Sequence, residues 1–84
     1  VLECIYSDIS KKITNLITIP TIGIGASVNC DGQVLVTDDI LGLTNAKIKF
    51  VKKYTNIKKI INSAVLKFKK EVKSSKYPSK KYSY

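Results

Sequence analysis

Within its first 25 residues the chain reads strand, helix, strand, and that order leaves few folds open. Val1–Ile5 (VLECI) is a short apolar run interrupted only by Glu3. Such a run suits a strand buried on both faces of a parallel sheet. Ser7 and Asp8 offer an N-cap and a first-turn acid. Ile9, Ile13, Leu16 and Ile17 then recur at the spacing of one helical stripe, while Lys11, Lys12 and Asn15 face away. About three turns of amphipathic helix are expected. Ile19–Gly25 (IPTIGIG) is rich in β-branched residues and carries Pro20 near its start, where a missing N–H is tolerated. The result is a βαβ unit with parallel strands and a right-handed crossover.

Further on, ASVNCDGQ is a turn-rich loop, and Val34–Val36 ending in TDD reads as a third parallel strand. Past Asn56 the period becomes helical again, with Ile57, Ile60, Ile61, Ala64, Val65, Phe68 and Val72 on one stripe among lysines. A basic helix over 56–74 and a polar tail over 75–84 are expected, the whole chain forming a single segment. The fold class is therefore α/β.

Charge is divided along the chain. Val1–Ala46 holds two lysines against five acids, whereas Lys47–Tyr84 holds thirteen lysines against Glu71 alone. A basic half of this kind raises the alternative of a small Lys-rich module that binds nucleic acid or an anionic surface. All fifteen basic residues are lysine, however, and arginine is the side chain that reads guanine edges and grips phosphate with two bonds. A solvated helix face is the simpler account. No apolar run approaches the roughly 20 residues that span a bilayer, so no membrane partner is expected. There is no basic n-region or cleavage site of a signal peptide, and the abrupt start inside a strand pattern suggests a fragment of a longer product. Cys4 and Cys30 lack metal-ligand spacing and histidine is absent, so reduced thiols are expected, at least one of them buried.

Few side chains carry chemistry. Gly23 and Gly25 match the first two glycines of a dinucleotide loop, but Val28 fills the third place and no acid follows at ribose distance. A strand ending Gly-Ile-Gly instead lets a ligand or backbone approach closely at the carboxyl end of the sheet, where parallel α/β folds build their sites. Glu3, Asp31, Asp38 and Asp39 are the acidic candidates there. Asp31 with Gly32 also fits a simple turn, and Asp38-Asp39 a strand end or helix cap. A carboxylate inside a buried strand must be paired, protonated or in use, and burial raises a carboxyl pKa toward the range of a general base. Either that strand is an exposed edge or Glu3 is in use, and Glu3 is accordingly the principal candidate.

The runs VLEC, IPTIGIGASVNCDGQVLVTDDILGL and EVKSSKYPSKKYSY stand in an order that resembles the C-terminal third of ketopantoate hydroxymethyltransferases. The resemblance implies the C-terminal portion, about three βα units, of a (β/α)8 TIM barrel. It further implies a cytoplasmic, Mg²⁺-dependent transferase of pantothenate biosynthesis that forms homo-oligomers. That enzyme moves a hydroxymethyl group from 5,10-methylenetetrahydrofolate to 3-methyl-2-oxobutanoate, giving ketopantoate. Glu3 would be its proton acceptor, the Mg²⁺ ligands would lie upstream, and the segment alone would be inactive. The family usually has glycine where Ser27 stands, and often histidine where Asp38 stands.

Overall fold

A computed structural model describes residues 1–84. Three short strands, β1 (Leu2–Glu3), β2 (Ile22–Ile24) and β3 (Gly32–Gln33), form one sheet in that order. Both pairings are parallel, with Leu2 opposite Gly23 and Gly23 opposite Gln33. Helix α1 (Ser7–Leu16) connects β1 to β2, as the periodicity predicts. Gly25–Asp31 alone joins β2 to β3, a much shorter link than the dozen or more residues usual between parallel strands. A helical turn, α2 (Thr37–Ile40), follows, and a long helix, α3 (Ile57–Lys73), leads to a closing 3₁₀ turn at Lys80–Tyr82.

Each strand is shorter than its apolar run, for a local reason in each case. β1 stops at Glu3 because Cys4 adopts a left-handed φ of 54°, although the Cys4 N–H still reaches the Ile24 carbonyl at 3.0 Å. β2 starts only at Ile22, since Pro20 has no N–H and the Thr21 N–H is taken by the Asp31 carboxylate at 2.7 Å. The third strand lies at Gly32–Gln33 rather than Val34–Val36. The Val34 N–H adds one more rung to the Gly23 carbonyl, after which β2 has ended and Val36 serves as the N-cap position of α2.

The sheet is not buried on both faces. In a parallel pair, residues opposite one another share a face, so Glu3 and Ile24 lie on one side with Ile22, and Leu2, Gly23 and Gln33 on the other. Glu3 and Cys4 are exposed, while Ile22 and Ile24 are half-buried. Helix α1 meets the sheet through small polar groups. Ser10 is fully buried, and the hydroxyls of Thr14 and Thr21 lie 2.9 Å apart. Its apolar stripe is largely uncovered, Leu16 at 82% exposure. Nor does Ser7 cap the helix: Tyr6 occupies that position, and the Ser7 hydroxyl donates instead to Ser27 Oγ at 3.2 Å.

Helix α3 matches the expected basic helix almost residue for residue. Asn56 caps it, its side chain accepting the Lys59 N–H at 3.0 Å. At the other end Ser75 takes a left-handed φ of 54°, and Lys76 and Ser75 return N–H bonds to the Glu71 and Val72 carbonyls. This is a Schellman closure with serine where glycine is usual. The tail is not merely polar, because Tyr77 packs edge-on against Phe68 with ring centroids 5.4 Å apart and also approaches Tyr82. No residue of α3 is buried, so apart from the Tyr77 ring on Phe68 the stripe from Ile60 to Val72 is unpartnered. The radius of gyration, 21.7 Å, is far above the roughly 12 Å of a compact domain of this length.

Candidate active site

The loops that leave the carboxyl ends of the strands enclose an open cleft of about 610 Å³. Its first wall is Cys4–Ser7, the turn directly after Glu3. Glu3 itself stands at the end of β1, one residue before that wall and opposite Ile24. The second wall is Gly25–Val28, together with Gln33 from β3.

Ser27 organises that second wall. The residue is 4% exposed, and its hydroxyl accepts from Ser7 Oγ, from the Asn29 N–H at 3.2 Å and from Asn29 Nδ2 at 3.0 Å. The Ser27 carbonyl accepts Gln33 Nε2 at 2.7 Å. Serine at this position therefore ties the start of α1, the β2–β3 loop and the end of β3 into one unit. Cys30 is buried on the same side, and a Cβ added at Gly23 would stand 3.1 Å from its sulfur. Both thiols are free, Cys4 exposed and Cys30 buried.

The roof of the cleft was not foreseen from the sequence. The strap Leu41–Asn56 is pinned at both ends: the Tyr54 N–H reaches the Ile40 carbonyl and the Ile57 N–H the Leu41 carbonyl, each at 2.9 Å. Asp39, buried in α2, accepts the Thr44 hydroxyl. Gly42 turns with φ of +69°, where any Cβ would collide with the Thr55 carbonyl. At the tip of the strap, Phe50 lies on Gly25, which has φ of +60° and whose added Cβ would approach Phe50 Cβ to 2.7 Å. Ile48, Lys49 and Phe50 line the first cleft. A second, of about 550 Å³, shares Gly25, Val28, Gln33 and Phe50 with it and adds Val34, Leu35, Ile40, Lys52 and Tyr54. The only signal in the sequence was the alternation IKFVK between two helical segments.

The acidic candidates do not converge as expected. Asp31 lies before β3, at the amino end of the sheet, where its carboxylate holds the Thr21 N–H and, at 3.1 Å, the Thr21 hydroxyl. Those bonds, the backbone one first, lower its pKa below the usual carboxylate range. Asp39 is occupied in fastening the strap, and Asp38 is exposed on α2. Glu3 thus remains the one acid of the four at the cleft end of a strand without such a structural bond. No group of three histidine, cysteine or acidic side chains stands close enough to hold a metal ion, so these 84 residues do not by themselves fit a Mg²⁺ site.

Parallel strands whose outgoing loops gather a cleft at the carboxyl end define the class of α/β enzyme sites. The comparisons narrow the class. The sequence model of the family described as ketopantoate hydroxymethyltransferase matches residues 1–80. A Pelagibacter ubique 3-methyl-2-oxobutanoate hydroxymethyltransferase is 63% identical over 84 residues, all of this chain and 33% of its own length. Proteins of the same name from Leptospira interrogans and Carboxydothermus hydrogenoformans are each 47% identical over 85 residues. The chain belongs to the ketopantoate hydroxymethyltransferase family, and it spans about a third of the length of the curated relatives it matches.

Proposed function

We propose that these residues form part of a cytoplasmic, homo-oligomeric (β/α)8-barrel enzyme that converts 3-methyl-2-oxobutanoate to ketopantoate with 5,10-methylenetetrahydrofolate. The observation that carries the reading is the family match across residues 1–80 together with Glu3 at the strand end from which the cleft wall departs. Glu3 is the general base. Its carboxylate takes the proton from C3 of the keto acid, leaving the electron pair as an enolate. A new C–C bond then forms between C3 and the one-carbon unit of the folate, and water supplies the hydroxyl oxygen as tetrahydrofolate departs. The left-handed turn at Cys4 holds the chain in a sparsely populated conformation immediately after the base, which fixes where the strand end delivers the carboxylate. Mg²⁺, a Lewis acid in such chemistry, would be held by acidic residues outside this segment.

In the full-length enzyme, Glu3→Gln should abolish deuterium exchange at C3 of the keto acid while leaving Mg²⁺ binding unchanged. Undiminished exchange would remove Glu3 from the role. The exposure of α3 with its lysines favours a second reading, a module for anionic polymers. It requires oligonucleotide binding that weakens steeply between low and physiological salt.

A further inference from the structure

The strap carries two lysines whose place the reaction at Glu3 does not explain. Lys49 lines the first cleft and Lys52 the second, and the two clefts meet at Gly25, Val28, Gln33 and Phe50. Between Ile40 and Lys70 the chain contains no acidic residue, so neither lysine has a counter-ion in its own segment. Two nearby lysines are committed elsewhere. Lys53 donates to the Thr44 carbonyl at 3.1 Å and Lys58 to the Asn45 side chain at 3.0 Å, both bonds that hold the strap itself. Lys52 instead extends over the Tyr54 ring, 4.9 Å from its centroid, within cation–π range.

The space also exceeds what a small keto acid fills. Clefts of about 610 and 550 Å³ each fall in the range of roughly 300–1,000 Å³ that takes a drug-sized ligand. Of the shared walls, Val28 and Phe50 are apolar and the Gln33 amide is turned to the Ser27 carbonyl, while the cations stand at the strap, a pattern complementary to a flat ring system ending in carboxylates. We infer that Lys49 and Lys52 seat the glutamate carboxylates of the folate co-substrate, with Phe50 and Tyr54 against its aromatic part. The inference rests on the hydroxymethyltransferase reading and deepens it, because it assigns the strap to the one-carbon donor and β1 to the keto acid.

The test uses the full-length enzyme that carries this segment, with Lys49→Gln, Lys52→Gln and the double variant. Two exposed charge contacts should each change KM for the donor by about twofold to fivefold. KM for the donor should rise by more than KM for the keto acid, and donor-independent deuterium exchange at C3 should persist. The unsubstituted enzyme should prefer the pentaglutamate form of methylenetetrahydrofolate to the monoglutamate, and the double variant should lose that preference. Lys49→Arg should retain it. A preference that survives the double variant, or a rise in KM for the keto acid instead, overturns the assignment. Absence of C3 exchange in the unsubstituted enzyme overturns the proposed reaction and the donor seat with it. Exchange intact with the donor preference unmoved overturns the donor seat alone.

Discussion

Replacing Gly25 by alanine should lower the melting temperature of the full-length enzyme by about 4–14 °C, and most of what exceeds the backbone cost should vanish when Phe50 is also shortened. Two costs combine at this residue. Its φ of +60° costs a residue bearing a Cβ about 1–2 kcal/mol. The new methyl group would also overlap the Phe50 ring, which must then leave its half-buried place. Full burial of such a side chain is worth about 1.5–3 kcal/mol, and half of that adds about 1–1.5 kcal/mol. The sum, about 2–3.5 kcal/mol, converts at about 2–4 °C per kcal/mol for a chain of 150–250 residues. In a Phe50→Ala background only the backbone part should remain, so the double-mutant cycle should give a coupling of about 1–1.5 kcal/mol. Thermal unfolding of the four proteins measures it. If Gly25→Ala costs the same with and without Phe50, the strap does not rest on the β2 end and the cleft roof is misassigned.

Three further outcomes are expected. The depressed pKa of Asp31 means that its contribution to stability is fully present above the ordinary carboxylate pKa of about 4 and is lost as pH falls through the lower folded value. The stability gap between the unsubstituted protein and Asp31→Asn should therefore narrow in acid below that pH, and a gap constant down to strong acid would contradict the bond to Thr21. Ser75→Gly should stabilise the C-terminal end of α3 by about 1 kcal/mol, visible as greater helicity and slower Lys76 amide exchange in a peptide spanning 55–84, whereas Ser75→Val should do the reverse. Equal helicity in all three peptides would refute the Schellman closure. The isolated 84-residue chain should unfold without a sharp transition and transfer no hydroxymethyl group; sustained turnover would contradict a site completed by other strands.

Local order was legible in the sequence where chemistry is local. The stripe Ile9–Ile17 located α1, and the stripe from Ile57 located α3 to within a residue at each end, because a 3.6-residue period needs no partner to be read. Strand lengths were not legible. Val34–Val36 has the composition of a strand but no neighbour to pair with once β2 has ended at Ile24. Burial failed for the same reason. The apolar faces of Glu3's strand, α1 and α3 announce contacts that these 84 residues do not supply. Asp31 and Asp39 looked like site acids because sequence alone shows a carboxylate, whereas the atoms that claim it, Thr21 and Thr44, come from distant or irregular backbone. The strap was invisible for a related reason: its position depends on two carbonyls of α2 and its neighbour, not on any period of its own.

The fastening of that strap also bears on how such a site can diverge. Its ends are held by the Ile40 and Leu41 carbonyls, so strap residues other than Gly42, Thr44 and Phe50, which are fitted to their neighbours, can be exchanged or added to while the strand that carries Glu3 stays in place. Doubling the length of a closed loop costs only about 0.6 kcal/mol. On the proposed reading, donor choice and proton abstraction fall on separately mutable pieces of chain, and a descendant could change the tail it accepts while inheriting the base untouched.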